Sequence, residues 1–531
     1  MMPNRSTDIL FQLIQSLEKA EKRNFKLYIK RNSAKEDLKI IQLFDVLDKL
    51  PNYDEKILLK KLPTVEKPQL ANLKTHLYKQ ILSSLRLLKA TENIDLQLNE
   101  QIDHARILYN KGLYQQSLRI LERAREMARL NHKYNFLTQV ISLEKKIETL
   151  HITRSMQGKA ERLARESIEV SQHIDMVFRL SNLALQLYSW YVKNGHARNS
   201  KDEASVKSFF KNHLPANVNK VDGFYEKLYL YQSYCWYAFI LQDFLLYYRY
   251  SQKWFELFVQ EPSMIAVETG HYIKGLHNLL NAHFDLRNFQ QFQHILNELE
   301  LFSTTPLANQ HDSFRIQIFV YINSAKINWH LMAGTFAEGL KLVPYIEERL
   351  EEYALYIDKH RFLVFNYKVA MLYFGNRQFN ECLDFLHNII NDNVGMRDDL
   401  QCYARLLHLM AHYELGNVDI IESLMKSVYR FMTKMQTLTV IEEEMFKFLK
   451  NTFYVPTQPT KKDFEVFLQT IKKYEKNRFE TRSFAYLDII SWVESKVYNQ
   501  SMSAIIYEKY MQRRQRIYPY TINNATVDAI N

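Results

Sequence analysis

Six short segments, each marked by a glycine or an aromatic residue, recur along the chain at nearly one spacing. Their last residues are Tyr114, Phe244, Phe289, Phe336, Phe379 and Ile420. The later gaps are 45, 47, 43 and 41 residues, and the first gap, 130 residues, is close to three such intervals. A fixed period of this length is typical of repeat proteins whose units stack side by side. The pattern predicts a long interaction surface and not an active site.

Glycine and proline are scarce, with only 11 of each in the 531 residues. A strand-rich fold of this size would need many tight turns, which are built mainly from glycine, asparagine and proline. Leucine, lysine, glutamate and glutamine, which favour helices, are abundant. Composition and period together predict an all-α protein: an α-solenoid of stacked helix–turn–helix repeats with helical N- and C-terminal extensions.

The predicted solenoid has three parts. Residues 1–95 form a basic helical N-terminal cap or module, residues 96–450 the repeat array, and residues 451–531 a helical C-terminal extension with a loose tail. Within the first part we expect helices at about 7–31, 36–50, 54–62 and 68–89. Pro456 and Pro459 mark the linker before the last part, because two prolines interrupt any helix there.

The clearest unit of the array runs from His104 to Ala124. It has the small residues Ala105 and Ser117 where two helices would cross, and the large Leu108 between them. This arrangement resembles the tetratricopeptide repeat, in a degenerate form whose period exceeds the usual length of about 34 residues. The whole chain is similar to long helical-repeat proteins of bacteria without an assigned function. The resemblance implies stacked helix pairs with a binding groove and leaves the partner unidentified.

A column of small residues recurs three positions after the turn segments. Its members are Ser117, Gly339, Cys382 and Ser423. Helix backbones approach closely only where side chains are small, so we interpret Cys382 as a packing residue and not as a nucleophile. Tyr247 and Phe292 take the same position in their units and interrupt the column. The units expected near residues 157 and 200 are barely recognisable.

In the tetratricopeptide repeat the first helix of each pair lines the concave face, and its groove-facing positions can be carried onto this chain one by one. They select Arg106, Tyr109, Asn110, Gln232, Trp236, Lys274, His277, Asn281, Ser324, Asn328, Tyr367, Arg405, His408 and His412. Asn281 and Asn328 take the same place in neighbouring units, and an asparagine amide can both donate to and accept from a peptide backbone. The resemblance thus implies a peptide-binding groove. The other interpretation is a solvated polar face.

The sequence shows no sign of catalysis or of a bound cofactor. It contains none of the phosphate-binding loops, zinc-protease motifs or nucleophile elbows that mark common enzyme classes. Cys235, Cys382 and Cys402 are too far apart to suggest a zinc site or a disulfide framework. His408 and His412 lie one turn apart on a helix face, which is a weak metal signal without a supporting carboxylate. We therefore predict a protein that is not an enzyme and holds neither cofactor nor metal.

Positive charge is concentrated at the two ends of the chain. Residues 1–90 contain 18 Lys and Arg against 10 Asp and Glu, and residues 451–531 contain 12 against 8. One function compatible with this distribution is a regulator whose basic N-terminal helical module binds DNA or RNA, with the repeats as a sensor or partner-binding region.

The function that we predict first is a non-enzymatic adaptor or scaffold. It would bind a protein or peptide segment along the concave face of the repeat array. A cytoplasmic location is expected, because the N-terminus lacks the apolar core of a secretory signal and free cysteines suit a reducing compartment. No membrane span is expected, because the longest apolar stretch is far shorter than about 20 residues.

Overall fold

The computed structural model describes most of the chain, and the regular elements in the described ranges are helices. These ranges are 8–31, 37–63, 65–151, 158–218, 221–354, 356–391, 398–435, 438–453, 460–475, 477, 479–480 and 487–516. The all-α prediction is confirmed for these ranges. The predicted linker around Pro456 and Pro459 and the predicted loose tail lie outside the described residues.

The chain divides into two compact units, residues 1–174 and residues 175–531. The first eight helices belong to the first unit. They are α1 (Ile9–Ser16), α2 (Lys19–Arg31), α3 (Asp37–Lys49), α4 (Glu55–Lys61), α5 (Lys67–Lys89), α6 (Ile94–Asn110), α7 (Tyr114–Leu130) and α8 (Tyr134–His151). The next helix, α9 (Lys159–Asn194), runs across the division.

The single helix predicted over 7–31 is wrong, because the structure has two helices there. Leu17 leaves the helix with an extended backbone (φ −73°, ψ 136°) and buries its side chain in the core formed by α1 to α5. The N–H of Glu18 donates to the carboxylate of Glu21 (2.9 Å), which caps the start of α2. The other three predicted helices agree with α3, α4 and α5, and the Asp54 side chain caps the start of α4.

The remaining helices lie in the second unit. They are α10 (Ser200–His213), α11 (Phe224–Leu241), α12 (Phe244–Gln260), α13 (Met264–Val267), α14 (Thr269–Asp285), α15 (Phe289–Ser303), α16 (Asp312–Ala333), α17 (Phe336–Leu340), α18 (Val343–Glu352), α19 (Lys359–Gly375), α20 (Phe379–Ile390), α21 (Asp398–Glu414), α22 (Val418–Lys434), α23 (Val440–Phe453), α24 (Lys461–Lys472), α25 (Ile489–Tyr498) and α26 (Met502–Arg516). Many of them pack on a neighbour in sequence, as α11 does on α12 and α19 on α20, and α14, α16, α19 and α21 also contact one another in that order. These contacts fit the stacking of helix pairs.

One turn geometry explains the recurring segments. Five of them end on the first residue of a helix, at Tyr114, Phe244, Phe289, Phe336 and Phe379. The residue two positions earlier has a left-handed backbone in every case, with φ between 55° and 76°. The following N–H donates to a carbonyl five residues back, as from Leu113 to Leu108 (3.0 Å) and from Gln378 to Tyr373 (2.9 Å). This is the Schellman motif, which ends a helix by satisfying its last carbonyl groups.

The same geometry corrects the last turn segment. Helix α22 begins at Val418 and its left-handed residue is Gly416 (φ 70°), so the segment end expected at Ile420 is two residues late. Ser423 is consequently exposed, and Ile421 is buried in its place. Further toward the N-terminus the spacing is irregular, because α9 alone spans 36 residues. This length is the reason that regular units near 157 and 200 could not be recognised.

The other three members of the small column are buried, as expected of packing residues: Ser117, Gly339 and Cys382. The Ser117 hydroxyl donates to the carbonyl of Ala105 on the facing helix (2.8 Å). A Cβ at Gly339 would lie 2.9 Å from the Cβ of His330, a separation that side chains do not tolerate. Burial raises the pKa of the Cys382 thiol, which keeps the sulfur protonated and suits a packing role.

Candidate functional site

The predicted groove residues lie on six helices. Four of these residues, on the adjacent helices α14 and α16, come together in the structure. Lys274, His277 and Asn281 follow one face of α14, because their spacing of three and four residues returns to the same side of a helix. Ser324 lies on α16 one helical turn after Tyr321, whose ring stacks on that of His277. Asn328 follows one turn later on α16 and is buried.

The centre of this site is the ring of Tyr321 on α16, which is 5 % exposed. The His277 ring stacks on it, with centroids 3.7 Å apart and planes within 7°. Asn281 Nδ2 lies 3.1 Å from His277 Nε2, and Gln317 Nε2 donates to the Tyr321 hydroxyl (3.3 Å). A polar network from two helices therefore surrounds one buried aromatic ring.

Three cationic side chains lie at this network, two of them beside the same ring. Lys274 Nζ lies 5.4 Å from the centroid of the Tyr321 ring, and the guanidinium carbon of Arg361 lies 5.9 Å from it. Lys368, on α19 with Arg361, donates to the hydroxyl of Ser324. All three cations are half-buried. We call the surface formed by Lys274, His277, Asn281, Gln317, Tyr321, Ser324, Arg361 and Lys368 the α14–α16–α19 face.

The ionisation of the face follows from burial and from this excess of positive charge. Burial and the nearby cations hold the pKa of His277 well below its ordinary value, so the imidazole is neutral. Burial lowers the pKa of Lys368 to about 8. Burial opposes ionisation of Tyr321, but Lys274, Gln317 and Arg361 outweigh it, so the pKa of that phenol lies below its usual value. The face is therefore an electropositive surface rich in hydrogen-bond donors.

Four members of the face were missed by the sequence analysis: Gln317, Tyr321, Arg361 and Lys368. Tyr321 and Gln317 precede Ser324 by three and seven residues, so they share its helix face. Lys368 directly follows the predicted Tyr367, and Arg361 lies seven residues before Lys368. These residues could have been found by looking three, four and seven residues away from each predicted groove residue along the first helix of each pair. For α19 this search also requires knowing which side of the helix faces the groove.

Tyr367 lies in a different environment from the one expected of a groove residue. Its side chain is 4 % exposed and belongs to the hydrophobic core beside Ala370 and Cys382. Burial raises the pKa of its hydroxyl well above the ordinary value. The prediction for α19 was displaced by one residue, which turns a helix position by about 100°.

The predicted residues of α6 make contacts within the first unit. Arg106 Nη2 donates to Gln139 Oε1 (3.0 Å), and the Tyr109 hydroxyl lies 3.1 Å from His151 Nε2, so both side chains reach toward α8. Asn110 is exposed. On α11 of the second unit, Gln232 and Trp236 are half-buried. The Trp236 ring packs against two aromatic rings of α9, those of Tyr188 and Tyr191, at centroid distances of 5.0 and 5.6 Å.

The predicted residues of α21 form a second polar cluster. His408 Nε2 lies 3.2 Å from His387 Nε2 of α20, and the ring of His412 lies 4.5 Å from that of His408. Burial, with the neighbouring histidines and Arg405, lowers the pKa of His408 to about 4. Arg405 stacks on Phe431 (4.4 Å) and donates to a backbone carbonyl. His387 was missed because nothing in the sequence pairs α20 with α21 at this position.

Several cations of the basic N-terminal module are paired with carboxylates. Lys22 Nζ lies 2.6 Å from Asp48, and Lys26 Nζ lies 2.6 Å from Asp45. Lys89 Nζ lies 3.6 Å from a carboxylate oxygen of Glu21 and 3.4 Å from one of Glu92, three residues later in the chain. These pairs reduce the positive charge that the module offers to a polyanion.

Comparison with known proteins gives no family for this chain. Among the described residues no helix is long and apolar enough to cross a membrane. A scan against protein-family models gives no match, and no curated protein is significantly similar in sequence.

Proposed function

We propose that this protein is a non-enzymatic adaptor or scaffold, built as a tetratricopeptide-like α-solenoid, that binds a segment of a partner protein across the α14–α16–α19 face. The observation that carries the proposal is the convergence of four predicted groove residues with four further polar residues on adjacent helices. A face of this kind suits recognition, because half-buried polar side chains bind ligands strongly once water is displaced.

The composition of the face suits an extended peptide. Asn281 follows His277 by one helical turn and is half-buried, so an amide group continues the face along α14. Asn328 takes the matching position after Ser324 on α16, where it is buried. An amide side chain can hydrogen-bond to both groups of a peptide backbone. The stacked Tyr321 and His277 rings supply a rigid base, which limits the entropy lost on binding.

The test is affinity capture from native lysate followed by mass spectrometry, with and without nuclease. A Ser324→Trp variant should lose the partner, because the indole fills the face where Lys368 and Ser324 meet. The matched control is Ser208→Trp, at an exposed position of α10. Circular dichroism shows whether both variants remain folded.

The expected result is a defined partner that wild type and Ser208→Trp retain, that Ser324→Trp loses, and that nuclease does not release. Retention of every captured protein by folded Ser324→Trp would contradict the proposal. A set of partners that disappears with nuclease would favour the regulator that binds DNA or RNA.

A further inference from the structure

We propose that the α14–α16–α19 face binds the phosphate group of a phosphorylated side chain in the partner segment. This inference rests on the proposed function, because it specifies what the bound segment carries. Lys274 and Arg361 lie beside one tyrosine ring, and Lys368 contacts Ser324 one helical turn after that tyrosine. A phosphomonoester is the protein modification whose charge and acceptor oxygens fit these three cations.

The charges of the face are unbalanced. Arg361 has a carboxylate neighbour, since its Nε lies 3.2 Å from Asp358 Oδ2. Neither Lys274 nor Lys368 is paired with a carboxylate in the part of the chain that the structure describes. An ammonium group that is partly removed from water without a counter-ion is costly. An anion bound at this place would remove the cost from both lysines, so the face is stabilised by the ligand that it is proposed to bind.

The size of the charge selects among anions. With Arg361 and Asp358 offsetting each other, two positive charges remain, on Lys274 and Lys368. A phosphomonoester carries about −1.5 to −2 at pH 7, whereas a carboxylate or a phosphodiester carries one negative charge. A phosphomonoester therefore neutralises the face, and a carboxylate or a nucleic-acid backbone leaves one of the lysines uncompensated.

The donors of the face also suit three acceptor oxygens. Each ammonium has three N–H groups, of which Lys368 uses one at the Ser324 hydroxyl. The remaining N–H groups are available to a ligand. Arg361 adds terminal guanidinium N–H groups beside the same ring, since its contact with Asp358 is made through Nε. Hydrogen bonds between such cations and phosphate oxygens are short and strong.

A peptide is a better carrier of the phosphate than a free metabolite. The face is a half-buried surface of three helices, so a small ion would remain largely in water there. Asn281 extends the polar surface beyond the cations by one helical turn of α14, whereas Asn328 on α16 is buried. The Asn281 amide is placed to contact the backbone beside a phosphorylated residue.

The experiment uses the full chain and a library of peptides that contain phosphoserine, phosphothreonine or phosphotyrosine at a fixed central position. Peptides selected from the library are then compared by isothermal titration calorimetry with their unphosphorylated forms, with inorganic phosphate and with a single-stranded oligonucleotide. We expect a phosphopeptide to bind at least about tenfold more tightly than each of the other three, the effect of one or two charge-assisted hydrogen bonds.

Variants then locate the binding. Lys274→Met and Lys368→Met remove a charge while keeping an unbranched apolar side chain, and each should weaken phosphopeptide binding at least about tenfold. Lys274→Arg keeps the charge and should bind within a few-fold of wild type. The control is Lys341→Met, at an exposed position next to α17, which should leave the affinity unchanged. Loss of an uncompensated charge does not endanger folding, so the methionine variants are informative about binding.

The inference is overturned if phosphorylated and unphosphorylated peptides bind equally, or if no phosphopeptide is selected from the library. It is also overturned if inorganic phosphate or the oligonucleotide binds as tightly as the phosphopeptide, or if both methionine variants bind as wild type does. Equal binding of phosphorylated and unphosphorylated peptides leaves the proposed function standing if Ser324→Trp still loses its partner. Failure of the proposed function is seen separately, as a captured partner that folded Ser324→Trp retains.

Discussion

At the scale of single residues, the ring of Tyr321 decides the chemistry of the α14–α16–α19 face. An aromatic ring has a negative face that attracts cations, and Lys274 and Arg361 both lie within 6 Å of its centroid. The neighbouring His277 cannot compete for a proton, because burial and these cations favour its neutral form. The positive charge of the face therefore resides on its lysines and on Arg361.

Lys368 should have an unusual titration. Burial lowers its pKa to about 8, whereas the pKa of an exposed lysine is about 10.4. Because the pKa in the folded state lies below that in the unfolded state, the contribution of Lys368 to the free energy of unfolding rises as pH increases from about 8 to 10.4. Binding of an anion should weaken over the first part of this range, since the ammonium loses its charge.

The measurement is a ¹³C NMR titration of reductively methylated lysines, with the Lys368 signal assigned by its loss in Lys368→Arg. We expect one signal to titrate near pH 8 and to shift upward when a phosphopeptide is bound. Two ionisable neighbours do not oppose this effect: His277 stays neutral, and ionisation of Tyr321 also reduces the positive charge. A Lys368 signal that titrates with the exposed lysines would contradict this.

At the scale of elements, the Schellman turns connect helices with and without glycine. The left-handed position is glycine in some turns, but it is Gln242, Arg287 and Arg377 in others, and His132 occupies the same position before α8. A side chain in this conformation costs about 1 kcal/mol relative to glycine. In every one of these turns the N–H after the left-handed residue nevertheless donates to the carbonyl five residues back. Packing of the paired helices therefore holds these turns in place.

Replacing Arg377 by glycine should stabilise its turn. Arg377 is exposed, so the substitution removes backbone strain at little cost in contacts. Hydrogen-exchange mass spectrometry should show amides at the end of α19 exchanging about two- to fivefold more slowly, as for a gain of about 0.5–1 kcal/mol. The matched control is Gly416→Ala, where a Cβ meets no atom within 4 Å but the backbone is left-handed. Its turn should exchange faster, and unchanged exchange in both variants would show that the turns carry no strain.

A buried ion network connects three helices of the first unit. Arg125 of α7 contacts Glu144 of α8 and Glu166 of α9, and all three side chains are buried. Arg129 Nη2 adds a contact to Glu166 at 2.5 Å. Because the Arg125 guanidinium contacts carboxylates from two other helices, the network fixes which helix faces meet.

Arg125→Leu should destabilise the first unit by about 3–5 kcal/mol, because Glu144 would be left buried without a cation and Glu166 would keep only Arg129. The neighbouring Arg123 is exposed, so Arg123→Leu should cost less than about 0.5 kcal/mol. Hydrogen exchange of α7 and α8 measures both changes in the intact protein. Equal effects of the two substitutions would mean that the network contributes nothing beyond a surface ion pair.

At the scale of the whole molecule, the charged N-terminal module separates the two functional classes. Reversal of Lys22, Arg23, Lys60 and Lys61 to glutamate would abolish nucleic-acid binding if the module contacts phosphates. We expect the intact protein to show no salt-dependent affinity for DNA or RNA, in part because Lys22 is already paired with Asp48 (2.6 Å).

Fluorescence anisotropy with labelled duplex and single-stranded probes at several salt concentrations measures this. The control variant reverses four exposed cations of the second unit, Lys193, Lys201, Lys211 and Lys341. Tight binding that falls steeply with salt, and that only the N-terminal reversal removes, would replace the adaptor by the regulator.

The sequence by itself determined the features that depend on nearby residues. The scarcity of glycine and proline excluded a strand-rich fold, and the turn segments marked five helix starts, because a Schellman turn is formed by residues close in the chain. Helical spacing also placed Lys274, His277 and Asn281 on one side of α14.

The tertiary structure alone decided which helix faces meet. Lys368 reaches Ser324 across 44 residues of chain, and no local pattern encodes that contact. A phase error of one residue placed Tyr367 at the surface, whereas packing turned it into the core and brought Lys368 to the face. The reason is physical: periodicity fixes the apolar stripe of a helix to about one residue, and only close packing against its neighbours fixes its rotation.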